Sequence, residues 1–260
     1  MFDIGVNLTN GRYKGKLQQL LDDSRDHGVE GMIAIGTSVK ESVASAKIAE
    51  EHPGYVFATA GVHPHDAKTL DQKGLDTLKS LLQQPHVVAV GEMGLDFNRN
   101  FSTPEDQEWA FTAQLELNRE FQKPLYLHER DAYTRQMEIL KAHRNCFEHG
   151  VTHCFTGTRE ALFGYLDLGL HIGVTGWICD ERRAGDLVNL VKEVPRDRLL
   201  VETDSPFLMP RSIKPRPRNN TNFPWFVQEV IRIVAQYRGE TEEDVRSYTA
   251  ENARRLFQTG

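Results

Sequence analysis

The sequence predicts an α/β fold, a (β/α)8 TIM barrel, and three observations carry that prediction. Eight short apolar runs rich in β-branched residues alternate with longer amphipathic runs, the pattern of parallel strands joined by crossover helices. The chain has 260 residues, close to the ~250 that such a barrel occupies. No low-complexity linker and no repeat longer than the βα unit divides it, so residues 1–260 are read as a single domain. A doubly wound open sheet is the architectural alternative.

The elements follow in order. Strands are expected at 2–8, 31–36, 55–61, 87–92, 124–128, 151–153, 171–175 and 199–202, where runs such as GMIAIG, YVFATAG and VVAVGE suit strands covered on both faces. Helices are expected at 14–27, 39–50, 75–83, 107–121, 133–143, 159–168 and 186–193. Two more, at 225–237 and 243–257, follow the eighth strand. Their apolar residues recur at helical spacing, as Leu17/Leu20/Leu21, Leu75/Leu78/Leu82 and Val227/Val230/Ile231/Val234 do.

Composition excludes several classes. Lys and Arg number 31 against 37 Asp and Glu, a net charge of −6 that does not by itself call for a polyanionic partner. The start MFDIGVNLT has no basic lead-in, and no run approaches the ~18 apolar residues of a membrane span. Cys146, Cys154 and Cys179 are odd in number and show no CxxC spacing, which reads as reduced thiols without a disulfide frame or a cysteine zinc knuckle. A cytoplasmic monomer without membrane contact is expected.

The polar residues that close the strands suggest chemistry. Barrel active sites sit at the C-terminal strand ends. Those ends carry His63 and His65 in AGVHPH, Glu92 in GEMGLDF, His128 in PLYLHER, His153 in VTHCF and Asp204 in LLVETDSP. One histidine ending a strand is more often structural. Imidazoles and carboxylates on five strand ends that share one rim are instead the donor set a divalent cation requires. His27, His52, His86, His143 and His149 are read as surface residues, and His171, which begins a strand, as lying at the opposite end.

The motifs GVHPHDA, GEMGLDF, LHERDA, THCFTG and ETDSPFL, in this order and spacing, resemble the TatD-type metal-dependent deoxyribonucleases, within the amidohydrolase-like TIM-barrel hydrolases. The resemblance covers essentially the whole chain. It implies a divalent-metal nuclease, a 3′→5′ exonuclease on single-stranded DNA or RNA with a role in DNA repair. By resemblance, Glu92, His128, His153 and Asp204 hold metal. Glu92 would bridge a metal pair, Asp204 would also be the general base, and His63 would contact phosphate or donate a proton, with His65 beside it. The metal implied is Mg2+, with Mn2+ or Zn2+ also suited to the donor set. One departure stands out: Gly5 and Asn7 occupy the places of the family's usual first-strand histidines. One firm metal site and a weak second one, completed by substrate phosphate, are expected.

Two further segments bear on substrate. Between residues 205 and 228 there is no acid, while Arg211, Lys214, Arg216 and Arg218 give four cations, interleaved with Phe207, Phe223, Trp225 and Phe226. Positive charge with aromatic faces suits single-stranded nucleic acid, although the same residues could offset an acidic body and pack the last helices. Arg130, in HERDA, is a second phosphate candidate or an ion-pair partner of its acidic neighbours. Residues 94–109 read as a long loop over the site. A small-molecule amidohydrolase or phosphotriesterase-like enzyme, and a non-catalytic nucleic-acid-binding barrel, are the rival functions.

Overall fold

The computed structural model describes residues 1–182 and 184–260. Strands β1 (Phe2–Val6), β2 (Gly31–Ala34), β3 (Val56–Ala60), β4 (Val87–Asp96), β5 (Leu125–Arg130), β6 (Gly150–Thr152), β7 (Leu170–Val174) and β8 (Leu199–Val201) form one sheet. Each strand pairs in parallel with the next in sequence. The ends join through a parallel bridge between Val6 and Ser205. There the Asp204 N–H donates to Gly5 O at 2.9 Å and the Asn7 N–H to Ser205 O at 2.8 Å. These contacts bring β8 back to β1, so the sheet is a (β/α)8 barrel rather than an open sheet.

The helices wrap the outside: α1 (Leu17–Asp26), α2 (Val39–Glu51), α3 (Gln72–Leu82), α4 (Pro104–Phe121), α5 (Tyr133–Ala142), α6 (Arg159–Asp167), α7 (Leu187–Leu190), α8 (Val227–Arg238) and α9 (Glu242–Phe257). Ser38, Asp71, Thr103, Thr158 and Thr241 cap α2, α3, α4, α6 and α9, each side-chain oxygen accepting a first-turn backbone N–H. The apolar stripes of the sequence become the buried faces, among them Leu20 and Leu21, Leu78 and Leu82, and Val227, Val230, Ile231 and Val234. A second apolar cluster joins Phe2, Ile4 and Leu200 to Ala250, Ala253, Leu256 and Phe257, seating α9 against the barrel.

Several boundaries differ from the sequence reading, and four of them matter here. Gly15 at φ +73° keeps residues 14–16 out of α1. The helix expected at 107 begins at Pro104, because Thr103 caps it and proline fits a first turn. The helix expected at 186–193 is only the single turn Leu187–Leu190. Most consequential for the site, β4 does not stop at 92. It continues to Asp96, pairing Leu95 with Glu129 and Asp96 with Arg130.

Candidate metal centre

Glu92 owes its aim to a break in the ladder. On β4, Gly91 pairs with Tyr126 and Met93 with Leu127, adjacent residues on β5, so Glu92 is the extra residue of a bulge. Bulges re-aim a side chain, and this one sits at the C-terminal rim. Gly91 has no substitute: its φ is +132°, and a β-carbon there would lie 2.1 Å from the Tyr126 carbonyl oxygen.

Three imidazoles meet one oxygen of this buried carboxylate. Glu92 Oε1 lies 2.8 Å from His153 Nε2, 3.2 Å from His128 Nδ1 and 3.4 Å from His63 Nε2. Burial pushes the Glu92 carboxyl up, but the surrounding imidazoles of His153, His63 and His128 outweigh it and hold the group well below the usual carboxylate range. The ligand-type atoms of His63, Glu92 and His128 all fall within 4.8 Å of one another, a spread that a single cation can gather.

The outer ring nitrogens are held by a second layer of carboxylates. His153 Nδ1 faces Glu202 Oε2 at 3.3 Å, and that oxygen also accepts from the Tyr126 hydroxyl at 2.9 Å. Glu202 Oε1 accepts the Cys154 N–H at 2.6 Å. His128 Nε2 faces Asp96 Oδ2 at 3.4 Å, an oxygen it shares with His65 Nε2 at 2.7 Å. A carboxylate behind each imidazole fixes the ring and raises its basicity, the usual support of metal-ligating histidines. Burial alone would lower both imidazoles. The Asp96 and Glu92 hydrogen bonds leave His128 raised, and the charges of Glu92 and Glu202 leave His153 raised well above the ordinary value. Neither Asp96 nor Glu202 was among the sequence candidates. Their signal was present, since Glu202 closes the eighth apolar run and Asp96 sits in GLDF.

His63 is different in kind. Its Nδ1 accepts the His65 N–H at 3.1 Å, and burial holds it well below the ordinary value, so it is neutral. A neutral ring with Nδ1 accepting carries its proton on Nε2. His63 therefore presents a donor toward Glu92 and the cavity, although distance alone groups it with the ligands.

Asp204, at φ +54°, follows β8 and is half-buried, and loss of hydration there pushes its carboxyl up to about 7. Its Oδ1 accepts from Asn7 Nδ2 at 2.8 Å. Asn7 thus orients Asp204, with its amide committed to that carboxylate and to Ser205 O at 3.4 Å. At Gly5 a β-carbon would come within 2.5 Å of both Glu202 Oε2 and the Tyr126 hydroxyl. The space beside Gly5 is filled by Tyr126 of β5 and by Glu202, which follows β8.

One cavity of about 770 Å³ collects Asn7, His63, His65, Glu92, His128, Arg130, His153 and Asp204. All five expected strand ends therefore converge. Arg130 also lies 5.8 Å from the Trp177 ring, in a neighbouring cavity of about 670 Å³ that it shares. Arg211, Lys214, Arg216 and Arg218 are not brought to the lining: Arg211 stands 3.7 Å from Asp180, and Arg216 donates to Asn220 Oδ1 at 3.3 Å. Of the loop aromatics, Phe207 reaches the cavity. Phe223 stacks on Trp225 at 4.5 Å, and Trp225 on His27 at 5.0 Å, so those two pack the entry to α8. Arg99, unnoticed in sequence, also lines the site. His171 is buried on β7 and lies outside the cavity lining.

Comparison with known proteins agrees with this geometry. The chain matches the TatD related DNase family over residues 2–258. It is 47% identical over 257 residues to the 3′-5′ ssDNA/RNA exonuclease TatD of Rahnella sp. (strain Y9602), covering 99% of this chain and 98% of that one. The corresponding protein of Dickeya dadantii (strain 3937) is 45% identical over 260 residues, covering 100% and 98%. Among solved structures, the TatD homologue YjjV of Escherichia coli superposes with a TM-score of 0.90 at 26% identity, covering 99% of this chain and 98% of that one. The chain belongs to the TatD family of DNases.

Proposed function

We infer that this chain is a divalent-metal-dependent hydrolase of phosphodiester bonds, a 3′→5′ exonuclease that acts on single-stranded DNA and RNA. The observation that carries the reading is the meeting of three imidazoles on Glu92 Oε1 at the barrel rim, in a chain nearly half identical to proteins named for that activity. The metal ligands proposed are Glu92, His128, His153 and Asp204. Mg2+ is the cation favoured, and Mn2+ or Zn2+ suits the same donors. One site is firm and the second weak, since Gly5 and Asn7 leave β1 without a ligand imidazole.

When bound, the cation supplies Lewis-acid stabilisation of phosphoryl charge and lowers the pKa of the attacking water. The chain's own groups supply the rest. Asp204, turned by Asn7 at one carboxylate oxygen, accepts the proton of the attacking water. His63 Nε2–H donates to a phosphoryl or leaving oxygen, and the His65 N–H fixes that tautomer. His65, pinned on Asp96, and Arg130 face the same phosphate. Arg211, Lys214, Arg216 and Arg218, outside the lining, attract the strand before it enters. No helix among the described residues is long and apolar enough to cross a membrane. One domain over residues 1–260, a monomeric state, cytoplasmic residence and a role in DNA repair complete the proposal. The free thiols of Cys146, Cys154 and Cys179 fit a reducing compartment.

The test is incubation of end-labelled single-stranded DNA with magnesium or manganese, and then with EDTA. Stepwise release of mononucleotides that stops with chelator supports the reading. Turnover of a lactone, cyclic amide or phosphotriester with no effect on polynucleotides would favour a small-molecule hydrolase, and binding without cleavage a non-catalytic barrel.

A further inference from the structure

The segment 97–103, between β4 and α4, presents an apolar ring to water from a backbone that is tied down along its length. Asp96 Oδ1 accepts the N–H groups of Asn98 at 3.1 Å and Arg99 at 2.8 Å. Gln107 Nε2 donates to Asp96 O at 3.1 Å and Ser102 O at 3.0 Å. Ser102 Oγ donates to His65 O at 3.0 Å, and Lys68 Nζ to Phe101 O at 3.0 Å. Between these anchors the Phe101 side chain is 55% exposed. Its ring centroid lies 4.8 Å from that of His65, at 85°, so it stands at the edge of the metal-site cavity. Arg99, two residues earlier, lines that cavity, and its guanidinium has no hydrogen-bond or ion-pair partner among the described residues. These bonds hold the segment with the ring exposed and the cation lining the site.

A second ring answers it. Phe207 lines the same cavity, is 43% exposed, and is tied to the site by its N–H, which donates to Asp204 O at 2.9 Å. Arg12 lies 5.7 Å from its centroid and donates to Pro206 O at 3.1 Å, supporting the ring. Phe101 follows β4 and Phe207 follows β8, which stand opposite one another in a closed ring of eight strands. Exposed large apolar side chains are few among the described residues; of these, Phe207 lines the cavity and Phe101 packs on His65, which lines it too.

We propose that Phe101 and Phe207 are stacking posts for unpaired nucleobases and that Arg99 binds a backbone phosphate between them, so that the site grips a single strand. This rests on the nuclease reading and adds its substrate-gripping element. Stacking needs a π-face and not a particular base, so the grip is tolerant of sequence, and paired bases do not offer those faces.

The experiment measures kcat/KM for release of the 3′ end from a labelled oligothymidylate, with magnesium or manganese present. A matched set carries one abasic site at the terminal, penultimate or preceding position. The wild type is expected to lose about tenfold at one or more of these positions, mainly through KM. In Phe101→Ala or Phe207→Ala the loss at a given position disappears, because the stacking partner is already gone. Arg99→Gln is expected to reduce the slope of log KM against log salt by about 0.7, the contribution of one single-strand phosphate. Abasic losses that persist unchanged in both phenylalanine variants, or an unaltered salt slope in Arg99→Gln, overturn the proposal while leaving the nuclease intact. A wild type that releases no nucleotide from any strand overturns both.

Discussion

Tyr126 and Glu202 share a hydrogen bond of 2.9 Å inside the barrel, and together they occupy the space beside the Gly5 α-carbon. The loss of a first-strand ligand is therefore built into the packing, since a side chain at residue 5 meets two buried oxygens at once. Gly5→Ala is expected to cost about 1–3 kcal/mol of stability in urea unfolding, the range for overpacking. Restoring histidines by Gly5→His with Asn7→His is expected to leave calorimetric stoichiometry, without nucleotide, at one tight cation. Two tight cations in the wild type would refute the single firm site.

Glu202 and Asp96 act through the histidines they hold. Glu202→Gln keeps the shape but weakens the grip on His153 Nδ1, and Asp96→Asn does the same for His128 and His65. Each is expected to lower Mn2+ affinity about 10–100-fold, the usual cost of removing such a partner. An affinity within twofold of wild type in both variants would show that these carboxylates serve only the fold.

The difference between what was legible and what was not lies in how local each signal is. His63, Glu92, His128, His153 and Asp204 each close an apolar run, and strand alternation fixes where such a residue ends up. The bulge at Glu92 has no local signal, because it exists only in the register between β4 and β5. Gly94 hid the end of β4: a glycine after a short apolar run reads as a loop, yet the strand pairs through it to Asp96, and that carboxylate went unseen with it. The cations of 205–228 were conspicuous by composition, which carries no direction. Arg99, a single cation in a loop without periodicity, offered nothing to find.

Loss of a ligand should silence the enzyme without unfolding it. His128 and Asp204 sit at the rim, while the packed core lies in the strands and helices beneath. His128→Ala and Asp204→Asn are each expected to reduce nuclease turnover at least about a hundredfold, with circular dichroism and Tm close to wild type. Either variant retaining most of its rate would remove that residue from the ligand set.

The four cations beyond the cavity act on approach rather than on chemistry. Changing Arg211, Lys214, Arg216 and Arg218 to Ser is expected to raise KM for long oligonucleotides and flatten its salt dependence, while short di- and trinucleotides are little affected. An unchanged salt slope would reduce the segment to a counterweight for the acidic body. Arg211, which stands on Asp180, is expected to contribute least of the four.

His171 gives the fold a dependence on acid that is separate from the site. It is buried on β7 with Nδ1 3.3 Å from Gly150 O, and burial, with Arg198 nearby, lowers its pKa from 6.5 to about 4. Between those values the unfolded chain binds a proton that the folded chain does not. Stability from this residue is thus present above about pH 6.5 and is lost as pH falls toward 4. Going from pH 7.5 to pH 5, the loss attributable to it is about 2 kcal/mol. His128 and His153, whose imidazoles are raised, pull the other way over the same range, so wild-type unfolding alone cannot isolate it. His171→Leu does, because it removes one titration and leaves the site untouched. The drop in urea-derived stability between those two pH values is expected to be smaller by about 2 kcal/mol in the variant. Parallel pH profiles would show that the His171 ring is reached by water and titrates normally in the folded chain.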